Sequence, residues 1–295
     1  MTSIALVTSS DAPALSPDDQ LLIEPLQARG LTPLAVAWDD PTAQWEQFES
    51  IVLRSTWNYH RCLESFFSWL DHLETLQVPI WNPVPALRWN VQKTYLRDLA
   101  QLGIPTIPTF WIEQGETASL AALLKQLPWR EAVIKPIVGA CASDVWRIQA
   151  TEIDQAHGAL SALAQQKGLM LQPFLHEVQR EGEYSFVFLG GTLSHTVLKR
   201  PQQNDFRVQP VYGGTCLHVV PAPALSEQAE EIYQALPRPL LYARIDALVQ
   251  ENRLVVMEVE LTEPDLLLRF DSCAPLRFAQ ACSDHFLERK ETLSH

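Results

Sequence analysis

The sequence predicts an α/β protein of several packed lobes, the first of them a small doubly wound α/β lobe. Three observations carry that expectation. Up to about Pro85, short apolar β-rich runs alternate with helical patterns, as a doubly wound lobe requires. A proline-punctuated stretch, "GIPTIPT", then reads as a connection between lobes. Beyond it strand and hairpin patterns dominate, ending in "YARIDALVQENRLVVMEVELTEPD", where three acids fall on two adjoining strands. The 295 residues, 47% apolar and 9% aromatic, suffice for two or three lobes with buried cores. The expected divisions are 1–88, 89–172 and 173–295.

In order, "SIALVTSS" is a buried-strand pattern. The helix after it is signalled by Ser16 as N-cap, Pro17 at the first position, Asp18 and Asp19 in the first turn and Gly30 at the end. "TPLAVAW", "SIVLRS" and "VPIWNP" read as further strands, with "CLESFFSWLDHLETLQ" as an amphipathic helix between the last two. Ligands of such lobes collect at the carboxyl ends of strands, which makes Arg54, Trp57 and Tyr59 in "VLRSTWNYH" substrate-side candidates. The alternative is that the two aromatics pack under the next helix and Arg54 pairs with a surface acid.

"ALRWNVQKTYLRDLAQLG" predicts one helix ended by Gly103, with Lys93 inside it. "TASLAALLKQLPW" predicts a helix, and "EAVIKPIVGACASDVWRI" a strand, a loop and a strand. Lys135 sits within an apolar β run and so needs an anionic partner. The small residues from Gly139 to Ser143 would let backbone N–H groups approach a phosphate, although a loop with one glycine is a weak motif. A helix, the strand "LMLQPFL" and the hairpin "GEYSFVFLGGTLSHTVLKRP" follow, the last turning at Gly190-Gly191. Lys199, Arg200 and Arg207 form either a local anion site or a solvated patch. "LSEQAEEIYQAL" and "APLRFAQACSDHFLERK" are helices on either side of the acidic strands.

In those strands Glu251-Asn252 is the expected turn, which brings Asp246 back beside Glu258 and Glu260. Period-two alternation puts Val255, Met257, Val259 and Leu261 on the opposite face. Three carboxylates in one small volume repel, so one is held protonated or a hard cation neutralises them; the alternative is a solvated strand face.

A net charge of −13 disfavours nucleic acid and anionic membranes as partners. No stretch approaches the length of a membrane span, and the N-terminus lacks a signal-peptide pattern. Five scattered cysteines, without Cys-x-x-Cys spacing, argue against zinc or a disulfide framework and fit a reducing, cytoplasmic setting. A homodimer is the default assembly.

The ordered set of a lysine before "GIPTIPT", a lysine in "VIKP", "LQPFL" with "GEYS", "LKRP…DFR", a glycine pair and "RIDAL…MEVE" resembles the ATP-grasp ligases along essentially the whole chain. Within them it is similar to the bacterial glutathione synthetases. It is closer to the cyclo-ligases of cycloserine biosynthesis, which close O-ureidoserine into a ring; "VLRSTWNY", "QPFLHEVQREGEYSFVF", "HTVLKRP" and "DFRVQPVYGGT" carry that likeness. The resemblance implies an ATP-grasp fold, with two α+β lobes clamping the nucleotide behind the N-terminal lobe.

It also implies ATP and Mg²⁺ as cofactors, with Mn²⁺ as an alternative ion, and a small-molecule substrate. Lys93, Lys135 and Ser143 would contact phosphates, Gln172, Phe174 and Leu175 the adenine, and Glu183 the ribose. Asp246, Glu258 and Glu260 would hold metal. Arg207, with Lys199 or Arg200, would steady the transferring phosphoryl group, and Gly213 and Gly214 would offer N–H groups to the substrate. Glu260 stands where the family usually has Asn, and the phosphate loop has fewer glycines than usual. The implied chemistry is activation of a carboxylate as an acyl phosphate for attack by nitrogen, either within one molecule or between two. A nucleotide-binding regulator without chemistry and a simple phosphotransferase are the competing readings.

Overall fold

An unbroken apolar run at the N-terminus makes the central strand of the first sheet, because such a strand must be covered on both faces. A computed structural model describes residues 2–116, 129–140, 144–202, 208 and 213–292. The first sheet is four-stranded and parallel, in the order β2 (Leu31–Ala37), β1 (Thr2–Thr8), β3 (Ser50–Leu53), β4 (Ile80–Trp81). The helix expected from Ser16 to Gly30 is two short ones, α1 (Pro17–Gln20) and α2 (Ile23–Gln27). Ser16 does cap the first, accepting from Asp19 N at 3.0 Å. The break follows from Pro25, which has no N–H and whose ring clashes with the carbonyl four residues back. Helix α3 (Leu63–Leu76) covers the sheet as expected, burying Phe66, Trp69, Leu70 and Leu73.

The stretch read as one helix around Lys93 is α4 (Val84–Val91) and α5 (Tyr95–Gln101), and Lys93 lies in the break rather than in a helix. Gln92 is extended, at φ −103° and ψ 123°, and the Lys93 N–H donates to Ile137 O at 2.9 Å instead of continuing the helix. The second sheet is antiparallel, ordered β5 (Phe110–Ile112), β8 (Leu169–Pro173), β6 (Glu131–Pro136), β7 (Trp146–Gln149), with α6 (Ile153–Gln166) on it. The expected helix in "TASLAALLKQLPW" falls almost wholly outside the described residues.

After α7 (His176–Arg180), the third sheet is antiparallel, ordered β11 (Thr215–Val219), β10 (Thr192–Arg200), β9 (Glu183–Leu189), β12 (Tyr242–Gln250), β13 (Arg253–Glu260). Helix α8 (Pro223–Gln234) buries Ala229, Ile232 and Tyr233 against one of its faces. Tyr95, Leu96 and Leu99 of α5 join that same core, which also takes in Met170 of β8 and, at its edge, Trp111 of β5, so the segment from 89 to 101 packs with the third sheet and touches the second. Helix α9 (Ala274–Thr292) inserts Phe278, Ala279 and Cys282 among Ile4 and Leu6 of the first sheet and Val187 and Tyr242 of the third. The first and third sheets thus share a core, whereas the second has one of its own and lends Met170 to that of the third.

Arg54 is part of that fusion and not of a substrate site. Its side chain is enclosed, with Nε donating to Asp19 at 2.8 Å and Nη2 to Pro264 O at 2.7 Å, and its guanidinium lies 4.8 Å from the Tyr242 ring centre. Arg54 directly follows β3, but a segment more than 200 positions away in sequence roofs it over. Arg54→Met leaves Asp19 buried without its cation, and we expect a loss of about 3–5 kcal/mol in urea unfolding. Arg54→Met with Asp19→Asn recovers part of that loss.

Candidate active site

Strands β12 and β13 are joined by Glu251 and Asn252, both in the left-handed region at φ 50° and 64°, as a two-residue turn matched to the strand twist requires. From that turn the register runs Gln250 opposite Arg253 up to Ala247 opposite Val256, and then jumps to Asp246 opposite Glu258. Met257 is therefore the extra residue of a β-bulge. The bulge breaks the expected alternation. Leu254 and Val256 before it, and Val259 and Leu261 after it, all enter the core, while Met257 and Glu258 both face a cavity on the other side. Beyond the bulge Arg244 pairs with Glu260 across the strands, and carboxylate oxygens of Asp246, Glu258 and Glu260 lie within 4.8 Å of one another.

Cations from three separate segments compensate these acids. Lys93 Nζ sits 2.5 Å from Glu258 and 3.2 Å from Gly139 O. Lys199 pairs with Glu183 and lies 3.2 Å from Asp246. Arg244 holds Asp246 at 2.9 Å and also Glu260, and donates to Asp265 O at 2.9 Å. Ser185 adds a hydrogen bond to Asp246 at 2.5 Å. Burial alone would raise the Asp246 carboxyl, but Arg244 and Lys199 hold it well below the usual range. Glu260 goes the other way, because burial with Glu258 and Asp246 outweighs Arg244 and pushes it up to about 7. Lys135 has no carboxylate within pairing distance among the described residues, and burial lowers its affinity for a proton.

A cavity of about 520 Å³ runs between the second and third sheets and reaches the first. Lys93, Lys135, Glu183, Glu258 and Glu260 line it. So do Gln172, Phe174 and Leu175 at the end of β8; Gln172 is anchored to Thr109 at 3.0 Å, and Arg147 lies over the Phe174 ring at 3.8 Å. Trp57 and Tyr59 also line it, from the first lobe. Their neighbour is Glu263, which takes the Trp57 indole N–H on its backbone carbonyl at 3.0 Å and sets its carboxyl beside the Tyr59 hydroxyl. Burial, then the charge of Glu260, push Glu263 to about 8.

Asp246 stands behind this wall, 3% exposed, and does not itself line the cavity. Lys199 and Arg200 do not act together: neighbours on a strand point to opposite faces, so Lys199 is buried beside Glu183 while Arg200 is exposed. Gly213 and Gly214 precede β11 and are not among the residues lining the cavity. Arg269 is committed to Asp18 and Asp265 at 2.9 and 3.0 Å. Arg207 and Ser143 lie outside the described residues. Sequence reasoning missed Arg244 and Glu263. Arg244 stands two positions before Asp246 on the same strand, a signal available in "ARIDA"; Glu263, after the strand, gave none.

The donor set suits a hard divalent cation, since all three clustered ligands are carboxylate oxygens. The unpaired Lys135 suits an anion in the same cavity. Among the described residues no helix is long and apolar enough to cross a membrane.

A family model described as prokaryotic glutathione synthetase, ATP-grasp domain, matches residues 105–270, and one described as D-cycloserine synthetase DcsG, N-terminal domain, matches residues 4–82. The cycloserine biosynthesis protein DcsG of Streptomyces lavendulae is 33% identical over 300 residues, covering 96% of this chain and 99% of that protein. The crystal structure of D-cycloserine synthetase DcsG superposes with a TM-score of 0.84 at 28% identity, over 96% of this chain and 99% of that one. D-alanine–D-alanine ligase from Bacillus anthracis, 15% identical, shares the fold with a TM-score of 0.67 over 98% and 97% of the two chains.

The two lysines differ in what they leave behind when removed. Lys93→Met strands Glu258 beside two other acids, and we expect a loss of about 1–3 kcal/mol in the ligand-free protein. Lys135→Met removes a shielded charge that has no ion pair among the described residues, and we expect an unchanged or slightly higher unfolding midpoint. Calorimetric melting of both variants without ligand checks the opposite signs.

Proposed function

This chain belongs to the ATP-grasp carbon–nitrogen ligases, and we propose that it activates the carboxylate of a small amino-acid-like molecule as an acyl phosphate, which a nitrogen of the same molecule then attacks to close a ring. The observation that carries the site is the trio of carboxylates within 4.8 Å of one another, with Lys93 and the unpaired Lys135 on the same cavity. Ring closure, as the specific outcome, is supported by similarity to a cycloserine synthetase over both the first lobe and the rest of the chain.

The chemistry follows from what phosphoryl transfer demands. A substrate carboxylate oxygen attacks the γ-phosphorus of ATP, the bond to the β-phosphate oxygen breaks, and ADP leaves. The nitrogen then attacks the acyl carbon; the C–N bond forms, the C–O bond to phosphate breaks, and inorganic phosphate and a proton depart. Positioning and charge stabilisation are the main requirements, and no nucleophilic side chain is needed. Lys135 and Lys93 would bind phosphate oxygens, the first satisfying its missing charge and the second exchanging Glu258 for the nucleotide. Gln172, Phe174 and Leu175 would receive the adenine at the end of β8, and Glu183 the ribose. Asp246, Glu258 and Glu260 would hold a divalent cation, Mg²⁺ by the hardness of the donors; when bound, it neutralises charge on the phosphates. Arg244, which lines the cavity where Arg200 does not, would be the guanidinium that steadies the transferring phosphoryl group.

The experiment is ADP release by the purified enzyme with MgATP and O-ureidoserine, with γ-glutamylcysteine plus glycine as the intermolecular comparison. We expect release only when a carboxylate is present, a hydroxamate when hydroxylamine is added, and a drop of about 10²–10³-fold in kcat for Glu258→Gln. ADP release independent of any carboxylate, or full activity in Glu258→Gln, overturns the proposal.

A further inference from the structure

Among the acids lining the cavity, Glu183 is held by Lys199, Glu258 by Lys93, Glu260 by Arg244 and Asp265 by Arg269. Glu263 has no cation partner among the described residues, although it faces the same cavity. The Tyr59 hydroxyl stands beside its carboxyl, and its backbone is pinned by Trp57 at 3.0 Å. A shielded carboxyl with no ion pair costs stability when charged and so stays protonated until a cation reaches it, and its place on a cavity wall points to a charge supplied from outside. Glu263 is the mirror image of Lys135, which lacks an anion at the nucleotide end.

We propose that Glu263, with Tyr59 and Trp57 as its wall, is the subsite for the substrate's free ammonium group. This rests on the reading of the cavity as the site of an amino-acid-activating ligase, and it narrows the substrate class to carboxylates that carry a primary amine. A metal ion fits Glu263 poorly: it stands outside the trio of clustered carboxylates, and a hard cation requires several oxygens. An ammonium group needs a carboxylate, a hydroxyl and an aromatic surface, and those three are present. Tyr59 acts as a positioning residue, fixing the carboxyl of Glu263 from the first lobe. The first lobe, which supplies none of the described phosphate-facing lysines or clustered acids, thereby acquires a role in substrate choice.

The test compares O-ureidoserine with its analogue lacking the amino group, at fixed MgATP, in wild type, Glu263→Gln and Glu263→Asp. We expect wild type to prefer the amino compound in kcat/KM by about 10- to 100-fold, the size of a lost charge-assisted hydrogen bond. In Glu263→Gln that preference disappears through a higher KM for the amino compound, with the KM for ATP unchanged, and Glu263→Asp restores part of it. Equal losses for both compounds, or a preference that survives in Glu263→Gln, overturn the proposal. If neither compound yields ADP, the ring-closure reading has failed and the subsite is judged on binding alone. Calorimetry on a panel of α-amino acids and their desamino counterparts then decides, and binding of both classes alike, or of neither, overturns it.

Discussion

The constraint on which this structure depends is the electrostatic balance of acids drawn together by one hairpin. Asp246, Glu258 and Glu260 could not remain close in a shielded site without cations, since like charges a few ångströms apart repel by several kcal/mol at protein-like dielectric. The cations come from different places in the chain: Lys93 from the break between two helices, Lys199 from β10 and Arg244 from β12 itself. Each is placed by secondary structure that the hydrophobic cores determine. Lys199 faces inward because of its parity along β10, and Arg244 reaches both Asp246 and Glu260 because the bulge resets the register between them. The site is consequently a product of register as much as of residue type.

Glu260 illustrates the same balance. A neutral residue there would leave Arg244 with one carboxylate, Asp246; the glutamate gives it two. The added negative charge is absorbed by a guanidinium that is itself buried and always charged, which suits it to serve as a fixed counter-ion between two carboxylates. The extra acid thus need not add a full charge to the site, because burial leaves Glu260 poised near neutrality at about 7.

Much of the fold was legible because its signals are local. The Glu251-Asn252 turn, the Gly190-Gly191 hairpin, the α3 amphipathic pattern and the alternating first lobe all depend on residues close in sequence. Other features depend on distant partners and could not be read. The bulge at Met257 arises in the pairing of β13 with β12, and nothing in "LVVMEVE" announces it. Lys93 was placed in a helix because its neighbours favour one, whereas a carbonyl from the loop after β6 takes its N–H. Arg54 met the strand-end rule and still failed as a substrate contact, since Asp19 and Pro264 enclose it. Arg200 is a different error: period-two alternation already separated it from Lys199.

Lys93 joins the parts that must cooperate. Its backbone N–H bonds Ile137 O, its Nζ bonds Gly139 O, both in the loop after β6, and the same Nζ pairs with Glu258 on β13. The second sheet has its own core and meets that of the third only through Met170 and Trp111 among the described residues, while the first and third share theirs more broadly, so the seam between these two bodies is where relative movement costs least apolar burial. A polyanion entering that seam competes with Glu258 for Lys93 and offers Lys135 a direct ion pair. Because both lysines are attached to or bonded by the β6 segment, the charge that occupies the cavity also alters the ties between the two bodies. Ligand binding and lobe position are in this way coupled through one side chain, with the bulged hairpin as the rigid counterpart against which it acts.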